Sequence, residues 1–145
     1  MVNTHGQGPQ TDSRTWPPPG TGFWTAVAAF VAAATLAAML VPFDFGPAGG
    51  RWMAVRTADW IAVLANVALF VPLGLAEGRL VDHVFERRAW TLLLVVADVA
   101  LLSFIGETAQ LWLPARSSSV VDLVANTLGG ALGAWLVPYR RRDRG

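Results

Sequence analysis

The sequence predicts an all-α, polytopic membrane protein: a four-transmembrane-helix bundle with both termini in the cytoplasm. Three observations lead there. Hydrophobic residues make up 54% of the 145 and charged residues 14%, against about 25% charged in soluble domains. Mean hydropathy is +0.45. The apolar residues fall into four stretches, each near the roughly 20 residues that cross about 30 Å of hydrocarbon, and little chain is left for a soluble domain.

Residues 1–21 are rich in Gly, Pro, Thr and Gln and end near Pro17-Pro18-Pro19. Such a segment has too little apolar surface to fold and is expected to be a disordered polar tail. The first span, about 22–42, is longer than the about 7–15-residue apolar region of a signal peptide and reads as a retained helix. A loop with Arg51 and Arg56 follows. The second span, about 60–80, contains Asn66, Phe70, Pro72 and Gly74. Pro72 removes a backbone donor two turns beyond Asn66. The run from Asp82 to Arg88 is charged and reads as an aqueous hinge. The third span, about 89–113, carries Asp98, Glu107 and Gln110. A short turn, Pro114-Ala115-Arg116-Ser117-Ser118, leads to the fourth span, about 119–137. The membrane domain thus covers 22–138, and a basic tail occupies 139–145.

Orientation follows from the arginines, which supply all eleven basic residues. Arg14, Arg79, Arg87, Arg88, Arg140, Arg141, Arg142 and Arg144, eight in all, fall on the side of the two termini and the middle hinge. Arg51, Arg56 and Arg116, three in all, fall on the other. Positively charged loops stay in the cytoplasm, so both termini are expected there. The basic tail abuts a span, so topology and anionic-lipid contact explain it, and no nucleic-acid partner is expected. The chain has no cysteine, which excludes disulfides and thiolate chemistry. His5 and His83 lie far apart in polar segments, so neither a metal nor a cofactor is expected.

The polar residues inside the spans gather at one depth. At a rise of 1.5 Å per residue, Asn66 lies about 9 Å below Trp60 and Glu107 about 10 Å below Pro114. Gln110 lies about 6 Å below Pro114, and Asp122 and Asn126 about 5 and 10 Å below Ser119. Asp59 and Arg116 sit at the rim. Seven side chains, Asp59, Asn66, Glu107, Gln110, Arg116, Asp122 and Asn126, are therefore expected in one outer-leaflet layer. Ser103, Glu107 and Gln110 share a helix face. Asp122, Asn126, Gly129 and Gly133 form one stripe on the fourth span, and its GxxxG pair suits close backbone approach. A carboxylate in hydrocarbon costs roughly 2.5–3.5 kcal/mol at mid-helix, and such groups face partners or wet cavities. Interhelical polar bonds return only about 0.6 kcal/mol on average. A small cavity lined by these residues, with Arg116 as counter-charge, is the expectation, against the plainer reading of polar cross-links between helices.

Three of these segments resemble the VanZ-like family of membrane proteins. The run from Asp59 to Gly74, with Asn66, Phe70, Pro72 and Gly74, is similar to its D-x(n)-N-x-x-x-F-x-P-x-G signature. The run from Glu107 to Ser117 resembles E-x-x-Q-x-x-x-P-x-R-x, and that from Asp122 to Gly133 resembles D-x-x-x-N-x-x-G-x-x-x-G. The likeness spans roughly residues 25–137. The family takes its name from a protein that lowers susceptibility to teicoplanin, and the resemblance leaves the biochemical mechanism open. It makes a binding protein of the cell envelope the leading expectation. Its outer pocket would take a lipid-linked envelope precursor, a lipid head group or a lipoglycopeptide, with a possible contribution to glycopeptide resistance. Two other readings stand beside it. One is a membrane enzyme with Glu107 or Asp122 as acid or base, although no His, Cys or metal cluster joins them. The other is a small lipid transporter or scramblase using Asp98 and Glu77, for which a homo-oligomer is an open possibility.

Overall fold

A computed structural model describes residues 19–53, 60–85 and 87–138, and among them are four helices, the first two separated by 19 residues of chain and the others by short connections. Asp59, the basic tail at 139–145 and the expected polar tail up to residue 18 lie outside the described residues. The helices are α1 (Thr21–Leu40), α2 (Trp60–Val84), α3 (Arg88–Ala109) and α4 (Val120–Leu136), and a 3-10 turn, Gln110–Trp112, continues α3. Among the described residues there is no strand, only an isolated parallel bridge between Met53 and Ser119. α1, α2 and α3 with its 3-10 turn are each long and apolar enough to cross a membrane, whereas α4 is apolar but has 17 residues.

The boundaries differ from the expected spans in two informative places. α2 runs on to Val84, through Asp82 and His83, because a helix end projecting beyond the apolar layer keeps its polar side chains in water. A basic residue in the last turn also suits the helix dipole. α3 tightens at Gln110, whose N–H reaches both Gly106 and Thr108 carbonyls. Pro114 lies just beyond the 3-10 turn and suits the end of a helix. Pro72 sits inside α2 with its ring exposed, so the lost backbone bond is on the outside of the bundle.

The core holds Met39, Phe70, Leu73, Val95, Val99 and Ala134. α4 packs most extensively on α2, and glycine is what allows it. A Cβ on Gly129 would strike the Val67 carbonyl, one on Gly133 the Val71 carbonyl, and one on Gly74 the Gly130 carbonyl. The two backbones touch along two turns. Gly130 turns instead to α3, where a Cβ would meet the Val99 side chain. The outer surface is the reverse of a soluble protein's, with Phe30 75%, Leu64 66% and Ile61 79% exposed. A contiguous apolar surface of this kind marks contact with lipid or another apolar partner.

Tryptophans collect at the two ends. Trp24, Trp90 and Trp135 lie near the α1 start, α3 start and α4 end, while Trp52, Trp60 and Trp112 lie at the opposite end. Arg88 closes the first of these ends, donating from Nη2 to the Trp135 carbonyl at 2.7 Å.

Candidate functional site

At the other end, α2 begins, α3 finishes and α4 begins, and most of the polar residues of the spans meet there. The start of α4 organises them. Ser119 caps it, its hydroxyl accepting the Val121 N–H at 3.1 Å, and Asp122 falls in the first turn. The first N–H groups of a helix have no partner in the helix and carry its positive dipole end, so they attract carboxylates. Glu107 supplies one from α3: Ser119 donates its backbone N–H to Glu107 Oε2 at 3.0 Å. The Ser118 hydroxyl donates to the Glu107 backbone carbonyl. Ser118 and Ser119 are fully buried and Glu107 is 2% exposed. The turn from α3 to α4 is thus held by both the side chain and the backbone of one glutamate.

Each remaining polar residue joins two segments. Asn66 on α2 donates from Nδ2 to Asp122 Oδ1 on α4 at 2.7 Å. Asn126 on α4 donates from Nδ2 to the Ser103 hydroxyl on α3 at 2.9 Å, and both are buried. Gln110 donates from Nε2 to the Met39 carbonyl at the end of α1, at 3.1 Å. Arg116 gives Nε and Nη2 to the Val41 carbonyl, at 3.1 and 3.0 Å. Every element is therefore tied at this end to at least one other. Asp122 and Arg116 are both near enough to act electrostatically on Glu107.

The loop after α1 closes over these residues. Phe43 takes a left-handed backbone (φ 62°) and turns the chain. Gly46 donates its N–H to the Trp112 carbonyl, and Gly49 and Gly50 theirs to the Leu111 carbonyl. Met53 exchanges backbone bonds with Ser118 and Val120, and Trp52 stacks on Phe104 with ring centroids 5.7 Å apart. A Cβ on Gly50 would lie 3.0 Å from the Leu111 Cα, a tight contact that glycine avoids.

Between loop and turn a cleft of about 360 Å³ remains, lined by Pro47, Gly49, Gly50, Leu111, Leu113, Pro114 and Arg116. Of the six described residues among those singled out from the sequence, Arg116 is the one in this lining, and its side chain is exposed. Glu107, Gln110 and Asn126 are buried, Asn66 and Asp122 half-buried. The helix-packing residues lie deeper: Phe70 is fully buried in the core, and Gly129 and Gly133 meet the α2 backbone. Among the described residues no group of three or more His, Cys, Asp or Glu side chains is placed to hold a metal ion.

Sequence reasoning placed Ser103 in phase with Glu107 but did not give it a partner. Spacing alone assigns Ser118 and Ser119 no partner. Ser119 followed three residues later by Asp122 is a legible helix-start pattern; the serine contacts with Glu107 leave no such trace. The same holds for the Met39 and Val41 carbonyls, since a backbone acceptor has no signature in the sequence.

A family model described as VanZ-LLP1: VanZ/LLP1 matches residues 18–141. No curated protein and no solved structure matches the chain.

Proposed function

The chain belongs to the VanZ-like family, and from that premise we propose that it binds an anionic envelope component at the outer face of a bacterial cytoplasmic membrane. In this reading α4 crosses with the other three helices and both termini are cytoplasmic. At about 25 Å α4 is short for a span, but it lies against α2, and the tryptophans near its end and beside its start match the interfacial belts of membrane proteins. The eight-to-three division of arginines supports the orientation.

One observation carries the ligand assignment: Arg116 is exposed at the mouth of the cleft and held by a backbone carbonyl. Two donors engaged with Val41 fix the guanidinium plane and leave its other edge for a ligand. That planar fork suits a phosphate or carboxylate. The ligand is a lipid-linked precursor, a lipid head group or a lipoglycopeptide, and any contribution to teicoplanin resistance acts through this contact. Gly49 and Gly50 bring backbone to the cleft. Asn66, Glu107, Gln110, Asp122 and Asn126 hold the helix ends that frame it. The enzyme reading is weaker because Glu107 is 2% exposed and its carboxylate already accepts the Ser119 N–H.

The test supplies purified protein with lipid-linked precursor, anionic phospholipid and a lipoglycopeptide, and follows both binding and product. Saturable binding lost in Arg116→Ala, with no product from the wild type, supports the proposal. Turnover that disappears in Glu107→Gln would replace it with the enzyme reading.

A further inference from the structure

A second pair of ionisable groups lies apart from this site, Asp98 at the middle of α3 and Glu77 seven residues before the end of α2. Asp98 is ten residues into α3, about 15 Å from its start and about 13 Å from Glu107. It lies beside Glu77 of α2. Glu77 does not reach for the membrane surface: it is 8% exposed, and its Oε2 is buried with no hydrogen-bond partner. Asp98 is exposed on the outside of the bundle. Together they line a lateral cavity of about 400 Å³ whose other walls include Val81, Leu94, Val95 and Leu101.

Among the described residues no cation answers this pair. α1 has no titratable side chain, and α4 has only Asp122, near its start. On α2, Arg79, Asp82 and His83 lie toward the end, and on α3, Arg88 and Glu107 lie near the two ends. The charged group that acts on Glu77 is Asp98. Two ionised carboxylates are acceptors only and repel one another, whereas one proton between them makes one a donor and the other an acceptor. An unshared charge at this depth is costly, and intramembrane carboxyls of this kind mark ion or proton sites.

We propose that Glu77 and Asp98 form a proton-binding site within the hydrocarbon layer, one proton being shared between the two carboxyl groups and exchanged through the lateral cavity. Binding converts two carboxylates into a hydrogen-bonded acid–carboxylate pair, and release returns the proton to water and leaves two like charges between α2 and α3. The site is separate from the Arg116 cleft and does not depend on what that cleft binds.

Dicyclohexylcarbodiimide, an apolar reagent for protonated carboxyl groups, tests this on the full chain in lipid nanodiscs, with the modified residue located by fragment sequencing. The expected result is a label on Asp98, the exposed member, that declines as pH is raised and is indifferent to sodium. Glu77→Gln presents Asp98 with an amide donor that serves the ionised carboxylate, so the label is lost. Absence of label on Asp98 at every pH overturns the proposal. So does undiminished labelling in Glu77→Gln, which reduces Asp98 to a lone carboxyl, and so does protection by sodium, which makes this a metal-cation site. If Glu77→Gln does not fold, infrared spectra of wild type and Asp98→Asn decide. Loss of a protonated-carboxyl band in the variant supports the shared proton, and identical spectra overturn it.

Discussion

Glu107 accepts from the start of α4 at a point where no water is available to replace it. Glu107→Ala leaves the Ser119 N–H buried without an acceptor, which costs about 1–3 kcal/mol. Glu107→Gln keeps an acceptor oxygen in the same place and should lose much less. Thermal or denaturant unfolding in detergent measures the difference; equal losses would mean that the charge rather than the acceptor matters. The Asn66–Asp122 bond, at 2.7 Å, has a carboxylate on one side and is therefore stronger than the Asn126–Ser103 bond between neutral groups. A double-mutant cycle on Asn126 and Ser103 should return about 0.6 kcal/mol, the average for such pairs, and the cycle on Asn66 and Asp122 more. At this scale the sequence was partly legible. Depth and helical phase put Asn66, Glu107, Gln110, Asp122 and Asn126 in one layer, because both follow from residue spacing. Which of them face a cleft and which face each other depends on the loop of residues 43–53, and its path is set by backbone bonds that no side-chain pattern announces.

The helices themselves were the most legible part, since apolar length alone marks α1, α2 and α3. Their ends were less so: hydropathy stops α2 at the first charges, whereas backbone bonding continues to Val84. For α4 the decisive residues are its glycines, and these differ in what they face. Gly129 and Gly133 meet α2 backbone, which cannot move without parting the helices, while Gly130 meets the Val99 side chain. Alanine at position 129 or 133 is expected to cost at least the about 1–3 kcal/mol of ordinary overpacking, and alanine at position 130 less. Unfolding of the three variants side by side gives the order. A larger loss at position 130 would contradict the packing of α4 on α2 described here.

For the whole molecule, the proposal places the α2-start end outside and the Trp135 end inside. Because the chain has no cysteine, single cysteines report this directly. Ala115→Cys, on the exposed turn before Arg116, should react with an impermeant maleimide on intact cells. Phe85→Cys, exposed between α2 and α3, should react only after permeabilisation; the opposite pattern inverts the orientation. Function was the least legible level, since a family resemblance and a polar layer define a place but not its ligand. Among the described residues of that layer, five buried or half-buried side chains tie helix ends together and one arginine is exposed at an open cleft. The most direct measurement of this division is native mass spectrometry of wild type and Arg116→Ala in mixed anionic and zwitterionic lipid, read as the occupancy of bound anionic lipid. The expected result is a retained anionic lipid that is lost in the variant while its helical content and cooperative unfolding are kept. Equal occupancy in both proteins would contradict it.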